Sequence, residues 1–191
     1  IGVHVGFFLA ARLHERFDKR WTNALTAIGL SVFWSMGVNL ALLGVAPTNG
    51  SWTLVGFIII LGSFSSFFGA VLNISVMSAL ADIADQHELD SGLRLEGIFY
   101  SARAFFSKAM IAVGHIVAGV ALQYYVMLPP KSVPGEITGD VIFRLGIVDG
   151  PFAMVGGIIA GMVYLGYRID KTAHSEILSR LKARKLANSD N

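Results

Sequence analysis

A lysine inside a long apolar stretch is the residue of this sequence with the clearest potential for chemistry. Lys108 lies eleven residues beyond Gly97, where the stretch begins. If the stretch crosses a bilayer as a helix, that distance is about 16 Å, close to the middle of a hydrocarbon layer of about 30 Å. A lysine at such a depth costs at least ~2.5 kcal/mol, so it usually faces a polar cavity or an acid. We therefore expect Lys108 to line a cavity, to form a structural ion pair with an acid on another helix, or to do both.

Other polar residues share the helical face of Lys108. Steps of three or four residues place Ser101, Lys108 and His115 near one face, among small side chains. Two groups that can carry positive charge, two turns apart, indicate a lined cavity, although His115 is also explained as a packed, hydrogen-bonded residue. Arg103 lies closer to the start of the stretch, where its long side chain can reach the membrane surface. These four residues form the candidate cavity for substrate and cation.

A second set of charged residues precedes this stretch. The segment 82–96 holds five acids and a histidine. Several carboxylates can bind a divalent cation, but the spacings fit no metal-enzyme signature, so we favour a mechanical role. Acids at helix ends can pair with arginines in one conformation and separate in another, and exposed pairs worth only ~0–1 kcal/mol suit such a switch. The candidate gate residues are Asp82, Asp85, Glu88, Arg94 and Glu96, with Arg16 and Arg20 from the basic segment 12–20.

The elements that must position these residues are apolar helices. Hydrophobic residues make up 54% of the chain and charged residues 15%, against about 25% charged residues in a soluble domain. The fold class is therefore all-α, a polytopic transmembrane helix bundle. The apolar run 1–11 is too short to cross a bilayer, so we expect a C-terminal fragment that begins inside a helix. Four full spans follow, predicted at 22–46, 52–81, 97–128 and 145–168.

The basic residues are unevenly distributed between the predicted loops. Eleven lysines and arginines fall on one side of the bundle and two on the other. Because basic loops stay in the cytoplasm, the C-terminus is predicted to be cytoplasmic. The tail 169–191 is predicted to form a short amphipathic helix there, either solvated or touching anionic lipid. Topology accounts for the basic residues, which excludes nucleic-acid binding, and the absence of cysteine excludes disulfides and thiolate metal sites.

Two stretches resemble motifs of known transporters. The segment 14–20 resembles the short Asp-Arg-x-Gly-Arg-Arg loop of the major facilitator superfamily, with Asp18 in place of the glycine. The segment 81–108 reads Ala-Asp-Ile-Ala-Asp, then Gly-x-Arg-x-Glu-Gly, then Phe-x-Lys. It is similar to helices ten and eleven of the glycoside–pentoside–hexuronide:cation symporters, the melibiose-permease-like family, although Gln86 replaces the usual tyrosine. The resemblance covers roughly residues 1–185.

The resemblance implies a fold and a location. The chain would form the C-terminal part of a twelve-helix major facilitator fold, from the end of helix eight through helices nine to twelve. Two six-helix bundles would enclose a central site that opens alternately to each side of a bacterial inner membrane. Lys108 would lie in the central cavity and face acids of an N-terminal bundle outside this sequence. Its partners would be the lipid bilayer, that bundle and a small solute.

The function predicted on this basis is secondary active transport, with Na⁺ or H⁺ coupled to the uptake of a sugar or glycoside. No catalytic residue, metal site or cofactor is expected apart from the coupling cation. Three alternatives stay open: a transporter of another solute such as a lysolipid, a metal-dependent membrane enzyme that uses the acidic segment 82–96, and a structural or sensor protein that transports nothing.

Overall fold

The computed structural model describes residues 17–131, 133 and 135–189, together with residues 2, 6 and 8. From residue 17 onward, the described chain forms five helices and no strand. The first four are long and apolar enough to cross a membrane, which confirms the all-α transmembrane fold class. The helices are α1 (Lys19–Leu42), α2 (Trp52–Ser91), α3 (Glu96–Val126), α4 (Gly139–Leu165) and α5 (Lys171–Ser189).

The second helix is longer than its apolar run predicted. Residues 82–91, expected to belong to a loop, continue α2 in helical conformation. The acids in this segment ended the apolar pattern without ending the helix, because polar residues are compatible with a helix that leaves the membrane. Gly92 terminates α2 with a left-handed φ of 77°, and its N–H bonds to the carbonyl of Glu88. Only four residues, 92–95, then connect α2 to α3.

The fourth helix begins earlier than predicted, at Gly139 instead of residue 145. Asp140 and Arg144 interrupt the apolar pattern, but they form an ion pair of 2.8 Å across one helical turn. The helix continues through Pro151, which lies in a π-helical turn spanning Val148–Phe152. Proline has no N–H to donate, and the wider turn accommodates its ring.

Small residues bring α1, α2 and α4 close together. A Cβ added to Gly157 of α4 would lie 2.0 Å from the Cβ of Ser31 in α1, so no side chain fits there. On the other side of α1, the ring of Phe33 stacks on Phe64 and Phe68 of α2, with centroids 4.9 and 5.4 Å apart. These three helices form the packed part of the bundle.

The remaining helices pack in different ways. Helix α5 lies against α2 and buries Ile177 and Leu181. It lies at the end of the bundle where α1 begins and α2 ends, which we call the basic end. In contrast, no residue of α3 between Glu96 and Val120 is buried.

Candidate functional site

A buried carboxylate joins several elements at the basic end. Asp82 of α2 is only 3% exposed. Its Oδ2 lies 2.6 Å from Nζ of Lys19 at the start of α1, and it also accepts a hydrogen bond of 2.9 Å from the hydroxyl of Tyr167. A buried charge is costly unless it is paired and hydrogen-bonded. Lys19 supplies the opposite charge, and Tyr167 supplies a hydrogen bond.

A histidine from the tail helix completes the arrangement. Nε2 of His174 lies 3.3 Å from Oδ1 of Asp82 and 3.3 Å from Oδ2 of Asp85. The two acids share one face of α2 because they are three residues apart. Asp170 caps α5 by accepting a hydrogen bond of 2.8 Å from the N–H of Ala173, which fixes the helix start near the acids. We call Lys19, Asp82, Asp85, Tyr167 and His174 the carboxylate cluster.

Tyr167 contributes to the cluster as a neutral donor. It lies between α4 and α5, outside the membrane-spanning helices. Burial, together with the hydrogen bond to Asp82 and the charge of that carboxylate, raises the pKa of Tyr167 far above its ordinary value. The phenol therefore keeps its proton at any physiological pH and remains able to donate to Asp82.

Three of the other predicted gate residues, Glu88, Arg94 and Glu96, form a second group, in which Glu88 is half-buried and Arg94 is exposed. The Arg94 guanidinium lies 2.5 Å from Oε1 of Glu96 and 3.7 Å from Oε2 of Glu88. The hydrogen bond to Glu96, followed by the charges of Glu96 and Glu88, raises the pKa of Arg94. Arg20 is exposed, with its guanidinium 5.7 Å from the ring of Trp21. Arg16 lies outside the described residues.

Three members of the carboxylate cluster were not among the predicted gate residues. Lys19 belongs to the predicted basic segment but was not selected from it, and Tyr167 and His174 come from the end of the chain. Their contacts with Asp82 and Asp85 span 63 to 92 residues of sequence. The periodicity of a sequence shows which residues share a face of one helix, so it does not predict contacts between distant segments.

Of the four residues predicted to share a cavity, Arg103 is separated in the structure from the other three. A cleft of about 470 Å³ between α2, α3 and α4 is lined by Arg103, together with Asn73 and Tyr164. Ser101, Lys108 and His115 are exposed on α3 and do not line that cleft. At 100° per residue, Lys108 lies about 140° around the helix from Arg103. Within the described part of the chain, Lys108 forms no ion pair with an acid.

The described residues include no group of three or more histidine, aspartate or glutamate side chains arranged to hold a metal ion. The short contacts of Asp82 and Asp85 are instead made with nitrogen and hydroxyl donors, as given above. The chemistry of the cluster is therefore that of ion pairs and hydrogen bonds between helices.

Comparisons with known proteins agree on the type of protein. Residues 1–171 match the family described as MFS/sugar transport protein, where MFS denotes the major facilitator superfamily. An uncharacterized symporter from Synechocystis sp. is 26% identical over 166 residues, which cover 83% of this chain and 28% of that relative. The chain thus spans less than a third of the length of this curated relative. No solved structure matches at a significant level.

Proposed function

The chain belongs to the MFS/sugar transport protein family, and we propose that the whole protein is a cation-coupled symporter of a sugar or glycoside. The observation that carries this proposal is the family match over residues 1–171, which includes all four membrane-length helices. The family is one of transporters, which confirms the prediction that the protein is not an enzyme. The relative named as a symporter supports coupled transport, and a cation as the coupled species is part of the proposal. The finer assignment to the glycoside–pentoside–hexuronide:cation symporters is part of the proposal.

Lys108 supports a coupled mechanism through its depth and its surroundings. It lies twelve residues beyond the start of α3 at Glu96, about 18 Å along the helix. It is exposed on the surface of the described bundle, and an unpaired lysine at this depth of a membrane is costly. We propose that carboxylates elsewhere in the whole protein face Lys108. Binding of Na⁺ or H⁺ to those carboxylates would weaken their attraction for the lysine and so link cation occupancy to conformation.

The basic end is proposed to face the cytoplasm. The positive-inside rule assigns it there, together with α5 and the C-terminus. The carboxylate cluster and the Arg94 group would then lie at the cytoplasmic gate of a transporter in the bacterial inner membrane. Opening toward the cytoplasm would separate contacts of this kind, and closing would restore them.

Transport by the whole protein in proteoliposomes tests this function. The measurement is uptake of a panel of labelled sugars and glycosides, with a lysolipid as a further solute, with and without an inward Na⁺ or H⁺ gradient. We expect a gradient of one cation to drive accumulation of at least one sugar or glycoside. Accumulation of the lysolipid alone would refute the proposed substrate class. Uptake that does not respond to either gradient would refute the coupling.

Replacement of Lys108 tests its role in coupling. We expect Lys108→Ala to lose cation-dependent accumulation at least tenfold, while membrane insertion is retained. The matched control is Lys131→Ala, which removes an exposed lysine from the connection between α3 and α4. Native accumulation by the Lys108→Ala protein would rule out the coupling role of this residue.

A further inference from the structure

Two buried polar side chains in the packed part of the bundle have no hydrogen-bond partner among the described residues. Asn23 in α1 is only 1% exposed, and Ser75 in α2 is completely buried. Within the described part of the chain, neither Nδ2 and Oδ1 of Asn23 nor Oγ of Ser75 forms a hydrogen bond. Buried polar groups in native proteins are nearly always paired, either with protein atoms or with ordered water. Both side chains therefore require a partner.

The helices α1 and α2 run antiparallel, with a register that their contacts define. The ammonium of Lys19 in α1 reaches two successive turns of α2, at the carbonyl of Ser78 and the carboxylate of Asp82. Further along α1, the side chain of Leu30 lies 3.5 Å from a Cβ added to Gly69. Positions one helical turn beyond Lys19 in α1 therefore face the turn of α2 that precedes Ser78.

Asn23 and Ser75 occupy these facing positions. Asn23 follows Lys19 by four residues and lies about 40° around α1 from it, at 100° per residue. Ser75 precedes Asp82 by seven residues and lies about 20° around α2 from it. Because Lys19 and Asp82 meet across the interface, the amide and the hydroxyl are directed into the same interface. They form no hydrogen bond with each other, so a gap separates them.

The surroundings of these two side chains favour a small neutral ligand. Thr26, on the same part of α1, is also buried, and its hydroxyl donates a hydrogen bond of 2.6 Å to the carbonyl of Thr22. The charged groups at the next turn toward the basic end, Lys19 and Asp82, neutralise each other. A buried cation needs an anion or several oxygen ligands. The site is thus polar without a net charge, which suits water better than an ion.

We propose that the interface between α1 and α2 encloses a water-binding site, in which at least one buried water molecule bridges the Asn23 amide and the Ser75 hydroxyl. Water both donates and accepts hydrogen bonds, so it can bond to either end of the amide and to the hydroxyl. Buried waters typically make about three hydrogen bonds, and the two side chains offer three polar atoms. This inference does not depend on transport or on the identity of a solute.

A structure of the whole protein in lipid nanodiscs, at a resolution that shows ordered waters, tests the site directly. We expect density within hydrogen-bond distance of both side chains, and we expect it to persist when choline replaces Na⁺ in the buffer. Density that disappears without Na⁺ would identify a cation and overturn the proposal. A direct hydrogen bond between Asn23 and Ser75, or a side chain from another part of the whole protein in the site, would also overturn it.

Paired substitutions provide an independent test in the whole protein. Ser75→Ala removes one partner of the water, and Asn23→Leu fills the space of the amide and the water while it leaves the hydroxyl unpaired. Each should lower the midpoint of thermal unfolding by about 2 °C, because a buried polar group loses its partner. The double variant leaves neither polar side chain in the site, so its shift should be smaller than the sum of the two single shifts.

Ser66→Ala is the matched control for these variants, since it removes an exposed hydroxyl from the same helix. It should leave the unfolding midpoint unchanged. A shift in this control equal to that of Ser75→Ala would contradict a specific role of the buried hydroxyl. Additive shifts in the double variant would contradict a water shared by Asn23 and Ser75.

Discussion

Asp82 in α2 and Lys108 in α3 are both charged residues on membrane-length helices, but their surroundings are opposite. Asp82 is buried and contacts donors from α1, from the connection before α5 and from α5 itself. Lys108 is exposed and has no acidic partner among the described residues. A charge whose partners lie nearby fixes the arrangement of helices. A charge on an open face is available to a partner from outside the described bundle.

The largest expected effect on stability comes from removal of the buried carboxylate. Asp82→Ala leaves the Tyr167 hydroxyl without its acceptor and the Lys19 ammonium with only a hydrogen bond of 3.5 Å to the carbonyl of Ser78. Breaking a buried pair in this way costs about 3 kcal/mol. We expect a clear loss of thermal stability for the whole protein in nanodiscs. The control is Asp90→Ala, which removes an exposed acid from the same helix. Equal stability of the two variants would mean that Asp82 does not fix the helices.

A pair of glycine substitutions tests whether α3 is as open as the structure shows. Gly157→Ala places a methyl group against Ser31 and should destabilise the bundle by about 2 kcal/mol through overpacking. Gly119→Ala, on α3, adds a methyl group that meets nothing within 4 Å and should leave stability unchanged or slightly raised. Thermal unfolding of both variants provides the measurement. A comparable loss in Gly119→Ala would show that another part of the protein packs tightly on this face.

The smallest expected effect comes from the neutral donor of the cluster. Tyr167→Phe removes a single hydrogen bond to Asp82 and should cost about 1 kcal/mol, since the carboxylate keeps Lys19. Because the pKa of Tyr167 is raised, the cost should be constant between about pH 6 and pH 9. Unfolding midpoints across this range provide the measurement. A cost that varied with pH in this range would mean that ionisation of the phenol contributes.

Sequence reasoning located the membrane helices and the charged residues well, but it did not show how those residues meet. Hydropathy is a local property, so the four membrane-length helices could be derived from it. The helical state of residues 82–91 was missed because a fall in hydropathy ends a membrane span without ending a helix. The pairing of Asp82 with Lys19, Tyr167 and His174 depends on tertiary packing between distant segments. Arg103 and Lys108 lie about 140° apart around α3, and their assignment to one cavity of the whole protein stays a prediction.

The length of α2 has a consequence for movement at the basic end. Asp82 lies thirty residues from Trp52 along one continuous helix, about 45 Å along the axis. Such a helix acts as a lever: a tilt of about 10° about its Trp52 end displaces Asp82 by about 8 Å, given the rise of 1.5 Å per residue. The contact between Asp82 and Lys19 measures 2.6 Å and would be broken by much less. A small reorientation within the membrane is thus amplified into a displacement at the far end of the helix that is large enough to break this contact.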